Sequence, residues 1–346
     1  MNISESANIV NSLGIKSQAK YCVEIFEEDD FIELEVFLKN NKLPVIFLGE
    51  GTNIIPPDFF NGIVIRSFCK KINFNKDINI LTVDSGVNWH KLVKFCISNK
   101  INGFENLSLI PGSVGAAPIQ NIGAYGAEIS TLIESINYFD INTLKLKTID
   151  NHECNFEYRN SSLKNTSFFI TSINFKTDLA NYINYEYKSI KSYIENNSID
   201  QNLLSTSSLS KIVCDIRSSI LPDPNKIFNA GSFFKNPIVN KSEISYSYFK
   251  PDDLITWEVN DTHIKVGAAK LIELVKDRII PSNNVSIYKN HSLVLVTNGS
   301  ATQTEILAFA SQIQELISNF FNINLEIEPT VIKYCSFGPQ LLISLP

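Results

Sequence analysis

The chain has 346 residues, of which 44% are hydrophobic and 19% charged, so it is long enough for two or three globular domains. Its net charge of −6 argues against a general nucleic-acid-binding surface, which needs a basic face. The six cysteines include no CxxC pair and no cysteine at zinc-ligand spacing from a histidine. The composition therefore predicts free thiols, no metal site and no nucleic-acid partner.

The N-terminal segment lacks a basic stretch followed by an apolar one, so we expect no secretory signal. No segment of the sequence is long and apolar enough to predict a membrane-spanning helix. We therefore expect a cytoplasmic protein without a membrane partner.

Two strands and a helix are predicted at the start of the chain. Apolar runs predict strands over residues 21–26 and 44–48. Between them, Asp29 or Asp30 is expected to cap a helix. Its apolar positions fall on one face: Phe31, Leu34, Phe37 and Leu38.

A glycine-rich turn, Gly49–Asn53, directly follows the second predicted strand. A strand followed by such a turn is typical of phosphate binding, because glycine brings backbone N–H groups close to a ligand. Pro56 and Pro57 forbid a helix after the turn, so a Rossmann site is disfavoured. A simple hairpin loop remains the alternative.

The central run from Glu105 to Glu128 is the most unusual segment. It has charged residues only at its two ends, four glycines, and no helical or strand periodicity. Pro111 and Pro118 interrupt it, which argues against one continuous helix. Successive free N–H groups in such a run would form an anion-binding nest for a phosphorylated cofactor. A tightly packed core turn remains the alternative.

Alternating strands are predicted on both sides of a polar loop in the middle of the chain, over residues 132–138, 144–148 and 168–175. In the loop, Arg159 follows Tyr158. An arginine beside an aromatic ring is a possible anion clamp, although most loop arginines are solvated surface groups. Tyrosines 182, 185 and 187 then form an aromatic cluster, for which a strand with one exposed face is the simpler interpretation.

The last third contains two further candidates for chemistry. Ser232 lies between Gly231 and two phenylalanines, where it could deliver a proton or be a turn residue. Helices are predicted over 266–275 and from a Thr302–Glu305 capping box to residue 320. Residues 324–328 alternate like a strand that places Glu326 and Glu328 on one face, so one of them is a candidate acid.

These segments occur in the order found in UDP-N-acetylenolpyruvoylglucosamine reductases, the family that this sequence resembles. The resemblance extends from Asn11 to about Val331, and its most specific parts are IPGSVGAAPIQNIGAYGAE and NAGSFFKNP. The sequence is similar to the form of the family that carries an additional tyrosine loop, here around Tyr185.

The resemblance implies an α+β fold of three domains, with a two-part FAD-binding module of the PCMH/VAO type and a smaller α/β substrate-binding domain. The expected limits are 1–67 with 322–346 for the first FAD-binding subdomain, 68–220 for the second, and 221–321 for the substrate domain. The implied FAD contacts are Leu48, Gly49, Glu50, Gly51, Thr52, Asn53, Pro111, Gly112, Ser113, Gly115, Ala116, Gln120, Asn121, Ile122, Gly123, Tyr125 and Gly126.

The resemblance also implies a monomeric, NADPH-dependent oxidoreductase of peptidoglycan precursor synthesis, which reduces UDP-N-acetyl-enolpyruvoylglucosamine to UDP-N-acetylmuramate. NADPH would reduce the flavin, a hydride would pass to the vinyl carbon, and the resulting enolate would be protonated. Arg159 and a protonated Glu328 would stabilise the enolate, and Ser232 would donate the proton. The implied substrate-binding residues are Tyr158, Tyr185 and Asn236.

A serine hydroxyl is a poor acid by itself. We therefore expect Asn236, Lys235 or a water molecule to assist Ser232.

Two positions depart from the family pattern. Ile220 stands where the family has a lysine before the Leu-Pro-Asp-Pro hinge, and the loss of that contact predicts NADPH or diphosphate binding weaker by about 1.5–3 kcal/mol. The proline of the acidic C-terminal segment is displaced to Pro329, so either Glu328 or Thr330 matches the catalytic acid. The ungapped spacing from the preceding helix favours Glu328.

Two other functions remain open from the sequence. One is a flavin-linked oxidase acting on another substrate, and the other is a protein that binds flavin without turnover. The four histidines lie outside the predicted FAD loops, which disfavours the histidyl flavin link of many such oxidases. The intact motifs at Arg159 and Ser232 disfavour loss of activity.

Overall fold

The structure is a computed structural model that describes residues 1–178 and 183–333. Within these residues the helices are α1 (Asp30–Asn40), α2 (Trp89–Ser98), α3 (Lys188–Asn196), α4 (Thr206–Ile220), α5 (Ala268–Val275) and α6 (Gln303–Phe321). The strands are β1 (Asn2–Asn8), β2 (Gln18–Ile25), β3 (Val45–Phe47), β4 (Ile54–Ile55), β5 (Phe59–Ser67), β6 (Ile72–Asn75), β7 (Ile80–Asp84), β8 (Gly123–Ala124), β9 (Ala127–Glu128), β10 (Ile133–Asp140), β11 (Lys145–Asp150), β12 (Phe168–Lys176), β13 (Asn229–Ser232), β14 (Ile238–Asn240), β15 (Thr256–Glu258), β16 (His263–Val266), β17 (Val285–Ile287), β18 (Val294–Thr297) and β19 (Thr330–Val331). In this described part of the chain, every helix is too short or too polar to cross a lipid bilayer.

The first sheet has the strand order β1-β2-β5-β3. Strands β2, β5 and β3 are parallel, and β1 is antiparallel to β2. Helix α1 makes the crossover from β2 and buries Phe31 and Leu34 against the sheet. Because parallel strands end at the same edge, the glycine-rich turn after β3 lies at the carboxyl edge of this sheet, where α/β folds commonly bind ligands.

The second sheet is antiparallel, with the order β11-β10-β12-β7-β6. An asparagine before an apolar helical stripe predicts a helix cap at Asn88. Its side chain accepts a hydrogen bond from the Lys91 N–H at the start of α2, and α2 buries Trp89 in the core. The first two sheets meet through stacked rings of Phe31 and Phe139, whose centroids are 4.9 Å apart. The two sheets therefore form one body with a cleft between them.

A third core contains two small sheets, β13-β18-β17 and β14-β16-β15, together with α5 and α6. Phe233 and Phe234 are fully buried in it, directly after Ser232. Leu13 and Ile55 from the N-terminal part of the chain pack into the same core. This contact fixes the third core against the first sheet.

The last described strand, β19, returns to the beginning of the chain and pairs in parallel with β4. Gln303 at the start of α6 reinforces this pairing, since its Nε2 donates to the carbonyls of Ile55 and Ile332, each at 2.7 Å. The segment that carries Glu328 is thereby placed beside the turn Gly49–Asn53.

Two helix starts differ from the prediction. Neither Asp29 nor Asp30 caps α1 with its side chain, because the Asp30 carboxylate accepts hydrogen bonds from two N–H groups of the preceding turn. The helix predicted over residues 266–275 begins at Ala268, since Val266 is the last residue of β16 and pairs with β15. An apolar residue at a strand end looks the same in sequence as the first residue of a helix.

Two further segments also differ. The strand predicted over residues 324–328 is an extended segment with a single bridge between Ile327 and Phe234. The tyrosine cluster was interpreted as a strand, but Tyr187 immediately precedes helix α3. Tyr182 lies outside the described residues.

Candidate active site

The turn Gly49–Asn53 and the run beginning at Pro111 lie against each other. The Asn53 side-chain amide donates to Gln120 Oε1 at 2.8 Å. A Cβ added at Gly49 would overlap the Ser113 hydroxyl, so glycine is required for this close approach. Both arms of the resulting cleft are lined by Leu48, Gly49, Ser113, Ala116, Ile119 and Thr330.

The free backbone donors of the cleft lie mainly in the turn. Among the described residues, the N–H groups of Gly49–Asn53 form no hydrogen bond to another protein group, and Gly51 has a φ of 68°. The N–H groups of residues 114–117 are instead bonded within a 3₁₀ turn or to the carbonyls of Ser85 and Val87. Residues 114–117 therefore form a packed turn, whereas the N–H groups of Gly49–Asn53, and those of Gly112 and Ser113 in the central run, remain available to a phosphate in the described structure. The phosphate site itself stays a prediction.

The cleft suits FAD in three respects. Its free N–H groups match a diphosphate. Ser85 Oγ lines the cleft, is buried, and has no hydrogen-bond partner in the described structure. Buried polar groups are normally satisfied, so this hydroxyl indicates a polar ligand. Apolar side chains such as Phe47 and Ile119 provide surfaces for flat rings.

Most predicted FAD contacts line this cleft, but Asn121, Gly123, Tyr125 and Gly126 do not. The Asn121 amide donates to Glu128 Oε2 at 2.8 Å and to the Glu157 carbonyl at 3.1 Å, so it fixes the shape of the central run. Direct contact with FAD stays a prediction for all of the residues named, including those that line the cleft.

Arg159 lies in a tight turn in which Glu157 and Asn160 exchange backbone hydrogen bonds. Its φ of 53° is left-handed, a conformation that non-glycine residues rarely adopt and that clusters at functional sites. Its Nη2 donates to the Gly123 carbonyl at 2.7 Å, and its Nε lies 3.2 Å from Glu328 Oε1. The backbone thus holds the guanidinium in a fixed position beside an acid.

Glu328 is held by its own backbone. Its N–H donates to the Phe233 carbonyl, and its carbonyl accepts from Gln120 Nε2, both at 2.9 Å. Burial raises the pKa of the Glu328 carboxyl, and the Arg159 charge opposes this only in part. A raised pKa favours the protonated form of the carboxyl, which is the form that the family resemblance implies for Glu328.

Ser232 is the residue before Phe233, so the Glu328 backbone contact brings it to the same place. The preceding Gly231 has a φ of 71°, and a Cβ there would meet no atom within 4 Å, which leaves open space beside the hydroxyl. In the described part of the chain, the Ser232 hydroxyl forms no hydrogen bond to another protein group. It is free to contact a ligand.

The predicted assistants of Ser232 are engaged elsewhere. The Lys235 ammonium pairs with Glu326. Asn236 Oδ1 accepts a hydrogen bond from the Ala268 N–H at 3.0 Å, and its side chain also contacts the Tyr158 hydroxyl. Of the assistants considered, water is the one left for Ser232.

The alternative position for the acid, Thr330, lies in β19. Its N–H donates to the Asn53 carbonyl at 3.0 Å, and it lines the cofactor cleft. Glu328, in contrast, contacts Arg159. The geometry therefore favours Glu328 as the acid.

The tyrosine loop places Tyr185 and Tyr187 differently. Tyr185 is partly buried against the apolar cluster between α3 and α4. Tyr187 is exposed, and its ring meets the Tyr125 ring edge-on at 5.4 Å. Tyr187 is thus the more accessible of the two for a substrate.

The sequence analysis missed Arg217, which lies on α4 three residues before Ile220. Its guanidinium lies beside the Tyr125 hydroxyl and forms no ion pair with any carboxylate in the described structure. Burial lowers the pKa of Arg217, and the positive charge of Arg159 acts in the same direction. The sequence did contain a signal for this residue. Arg217 lies one helical turn before Ile220, the position where the family has its lysine, so both side chains lie on the same face of α4.

Two family models match the chain. A model described as an FAD binding domain matches residues 19–143. A model of the UDP-N-acetylenolpyruvoylglucosamine reductase C-terminal domain matches residues 223–332. The first contains the turn Gly49–Asn53 and the central run, and the second contains Ser232 and Glu328.

Curated relatives match nearly the whole chain. UDP-N-acetylenolpyruvoylglucosamine reductase of Flavobacterium johnsoniae is 38% identical over 93% of this chain and 96% of its own length. The Polynucleobacter asymbioticus protein of the same name is 34% identical over 93% and 94%. A crystal structure of the Thermus caldophilus reductase has a TM-score of 0.66 at 19% identity, covering 96% of this chain and 99% of its own, and shows the same fold.

The fold, the cleft and the FAD-domain match define an FAD-dependent oxidoreductase. They confirm the predicted α+β architecture with an FAD-binding module, whereas the PCMH/VAO type of that module and the exact domain limits stay predictions. The chain belongs to the UDP-N-acetylenolpyruvoylglucosamine reductase family.

Gly49→Ala is expected to yield protein that retains much less flavin after purification. The added Cβ would overlap the Ser113 hydroxyl, and overpacking of this kind costs about 1–3 kcal/mol. The ratio of flavin to protein absorbance measures the effect. Gly267→Ala is the control, since Gly267 lies at the start of α5 and its added Cβ would lie 3.3 Å from the Ile255 Cβ. Full flavin content in Gly49→Ala would contradict the close approach.

Proposed function

We propose that the protein reduces UDP-N-acetyl-enolpyruvoylglucosamine to UDP-N-acetylmuramate with NADPH, in peptidoglycan precursor synthesis. The observation that carries this proposal is the contact between Arg159 and Glu328 beside the Ser232 strand, next to the FAD cleft. When bound, FAD supplies hydride transfer from NADPH to the terminal vinyl carbon of the substrate. The cytoplasmic location and the monomeric state stay predictions.

Arg159 binds the substrate carboxylate and the enolate charge that develops on it. A guanidinium keeps its charge at all relevant pH values, and fixed donors aimed at developing charge stabilise a transition state. The left-handed turn and the Gly123 carbonyl hold this charge in place before the substrate arrives.

Glu328 acts as a hydrogen-bond donor to the same carboxylate. An ionised Glu328 would repel the enolate and neutralise Arg159, so only the protonated form assists. The raised pKa of this carboxyl, caused mainly by burial, supports that role.

Ser232 donates a proton to the carbon adjacent to the carboxylate. Its hydroxyl has no protein partner in the described structure and has open space beside it at Gly231. Because Lys235 and Asn236 have other partners, we assign the reprotonation of Ser232 to a water molecule.

Arg217 and Tyr187 bind the anionic part of the sugar nucleotide. A partly buried guanidinium without a carboxylate partner is costly unless an anion pairs with it. The diphosphate is such an anion, and the exposed Tyr187 beside Tyr125 can close over it. Arg217 thus offsets part of the charge missing at Ile220.

Arg217→Met is expected to raise the KM for the sugar nucleotide by about 10- to 100-fold, because a charge-assisted hydrogen bond contributes about 1.5–3 kcal/mol. Ile220→Lys, which restores the family lysine, is expected to lower the same KM. Steady-state kinetics measures both. An unchanged KM in Arg217→Met would remove Arg217 from the proposed anion site.

One experiment separates this function from its two alternatives. The purified protein is mixed anaerobically with NADPH and then with the enolpyruvyl sugar nucleotide while flavin absorbance is followed. Bleaching by NADPH and recolouring by the substrate support the reductase. Recolouring only after oxygen is admitted supports an oxidase, and the absence of bleaching supports a flavin-binding protein without turnover.

A further inference from the structure

Lys164 is a cation that the reaction described above does not use. It follows the Arg159 turn, is partly buried, and lines the same arm of the cleft as Gly49, Ser113 and Ser85. The turn Gly49–Asn53, with its free N–H groups, begins in this arm. Lys164 therefore shares the cleft with the phosphate nest.

No carboxylate of the described residues lies within ion-pair distance of the Lys164 ammonium. In residues 1–178 and 183–333 it forms neither an ion pair nor a hydrogen bond, whereas the nearby Lys235 is paired with Glu326. Burial lowers the pKa of Lys164 and the charge of Lys235 acts in the same direction, while the more distant Glu326 and Glu328 carboxyls offset this only in part. A cation taken from water and repelled by a neighbour needs an anion to compensate it.

We propose that Lys164 is a further cofactor-positioning residue, whose ammonium pairs with the diphosphate of FAD opposite the Gly49–Asn53 nest. The proposal rests on FAD binding in this cleft. The diphosphate is the part of FAD that is charged in both redox states, so it is the partner that stabilises a permanent cation. A lysine combined with a nest of backbone N–H groups is a recurring way to hold a nucleotide diphosphate.

The test uses apoprotein of the full chain, prepared from the wild type, Lys164→Met and Lys164→Arg. Calorimetry measures the affinities for three probes: FAD, ADP, which carries a diphosphate without the flavin ring, and riboflavin, which carries the ring without phosphate. Lys145→Met, which removes an exposed lysine from β11, is the control for the change in net charge.

The expected result is that Lys164→Met weakens FAD and ADP binding at least tenfold and leaves riboflavin binding unchanged. Lys164→Arg is expected to recover most of the affinity, and Lys145→Met to resemble the wild type. Unchanged FAD and ADP affinities would overturn the proposal. A loss of riboflavin affinity would also overturn it, since Lys164 would then act on the ring or on the structure of the cleft as a whole.

Discussion

Ser232→Ala is expected to leave flavin reduction by NADPH intact and to slow reoxidation by the enolpyruvyl substrate. The hydroxyl donates its proton only after the hydride has been transferred from the cofactor, so its loss affects the second half-reaction alone. Removal of a positioned general acid costs about 10²–10⁴-fold in rate. Stopped-flow spectroscopy of each half-reaction, at flavin wavelengths, measures the two rates separately.

A matched control uses another serine of the sheet β13-β18-β17, which also carries Ser232. Ser286 is exposed on β17, and Ser286→Ala should behave as the wild type in both half-reactions. Wild-type reoxidation in Ser232→Ala would assign the proton to another group. Equal slowing of both half-reactions would indicate a disturbed flavin site in place of a missing acid.

Glu328→Gln is expected to reduce substrate turnover by about 10²–10³-fold, the usual effect of removing one donor to a developing oxyanion. The amide keeps the size of the side chain and can still donate a weaker hydrogen bond, so flavin content should be unchanged. The rate of flavin reoxidation by substrate, measured beside the flavin spectrum, tests this prediction.

The pH profile gives a second signature of Glu328. Burial raises the pKa of this carboxyl, so the protonated form persists above the ordinary glutamate range. In the wild type, turnover is therefore expected to fall as the pH rises through this raised pKa. In Glu328→Gln that fall should disappear, because an amide does not titrate in this range.

Thr330→Val distinguishes the two possible positions of the acid. Thr330 keeps its backbone contact with Asn53 in the variant, since only the side chain changes. Turnover close to that of the wild type is expected. If Thr330→Val abolishes turnover with flavin retained and Glu328→Gln does not, the acid lies at position 330.

The sequence predicts the elements that local patterns define. The capping residues Asn88 and Thr302 start their helices as expected, because capping depends on residues only three positions apart. The strands predicted over residues 132–138, 144–148 and 168–175 correspond to β10, β11 and β12 of the second sheet. These features need no knowledge of the rest of the chain.

Features that depend on distant contacts were predicted less well. The central run offers glycines, but the carbonyls of Ser85 and Val87 accept hydrogen bonds from two of its N–H groups, which are therefore unavailable to a ligand. The segment that carries Glu328 has the alternating pattern of a strand. It does not join a sheet, because its backbone pairs only with a short stretch at Phe233 and Phe234. In both cases the structure of the segment depends on a partner that is distant in sequence, and the local pattern contains no information about that partner.

Arg217 and Lys164 show the same limit for the site. Each is an ordinary helix or loop cation in the sequence. Only the three-dimensional arrangement reveals that it is partly buried without an ion-pair partner in the described residues, which is the basis of the role we propose for it. Arg159 and Ser232, in contrast, lie within long specific motifs, so the resemblance to the family identified them directly.

The pairing of β19 with β4 has a consequence for the order of folding. One wall of the flavin cleft comes from β4 and the turn before it, and Thr330 completes this wall from a segment that is distant in sequence. A contact between segments so far apart in sequence costs loop-closure entropy and tends to form late in folding. Flavin capture is therefore expected to follow this long-range pairing, and the apoprotein is expected to gain stability when the cofactor binds.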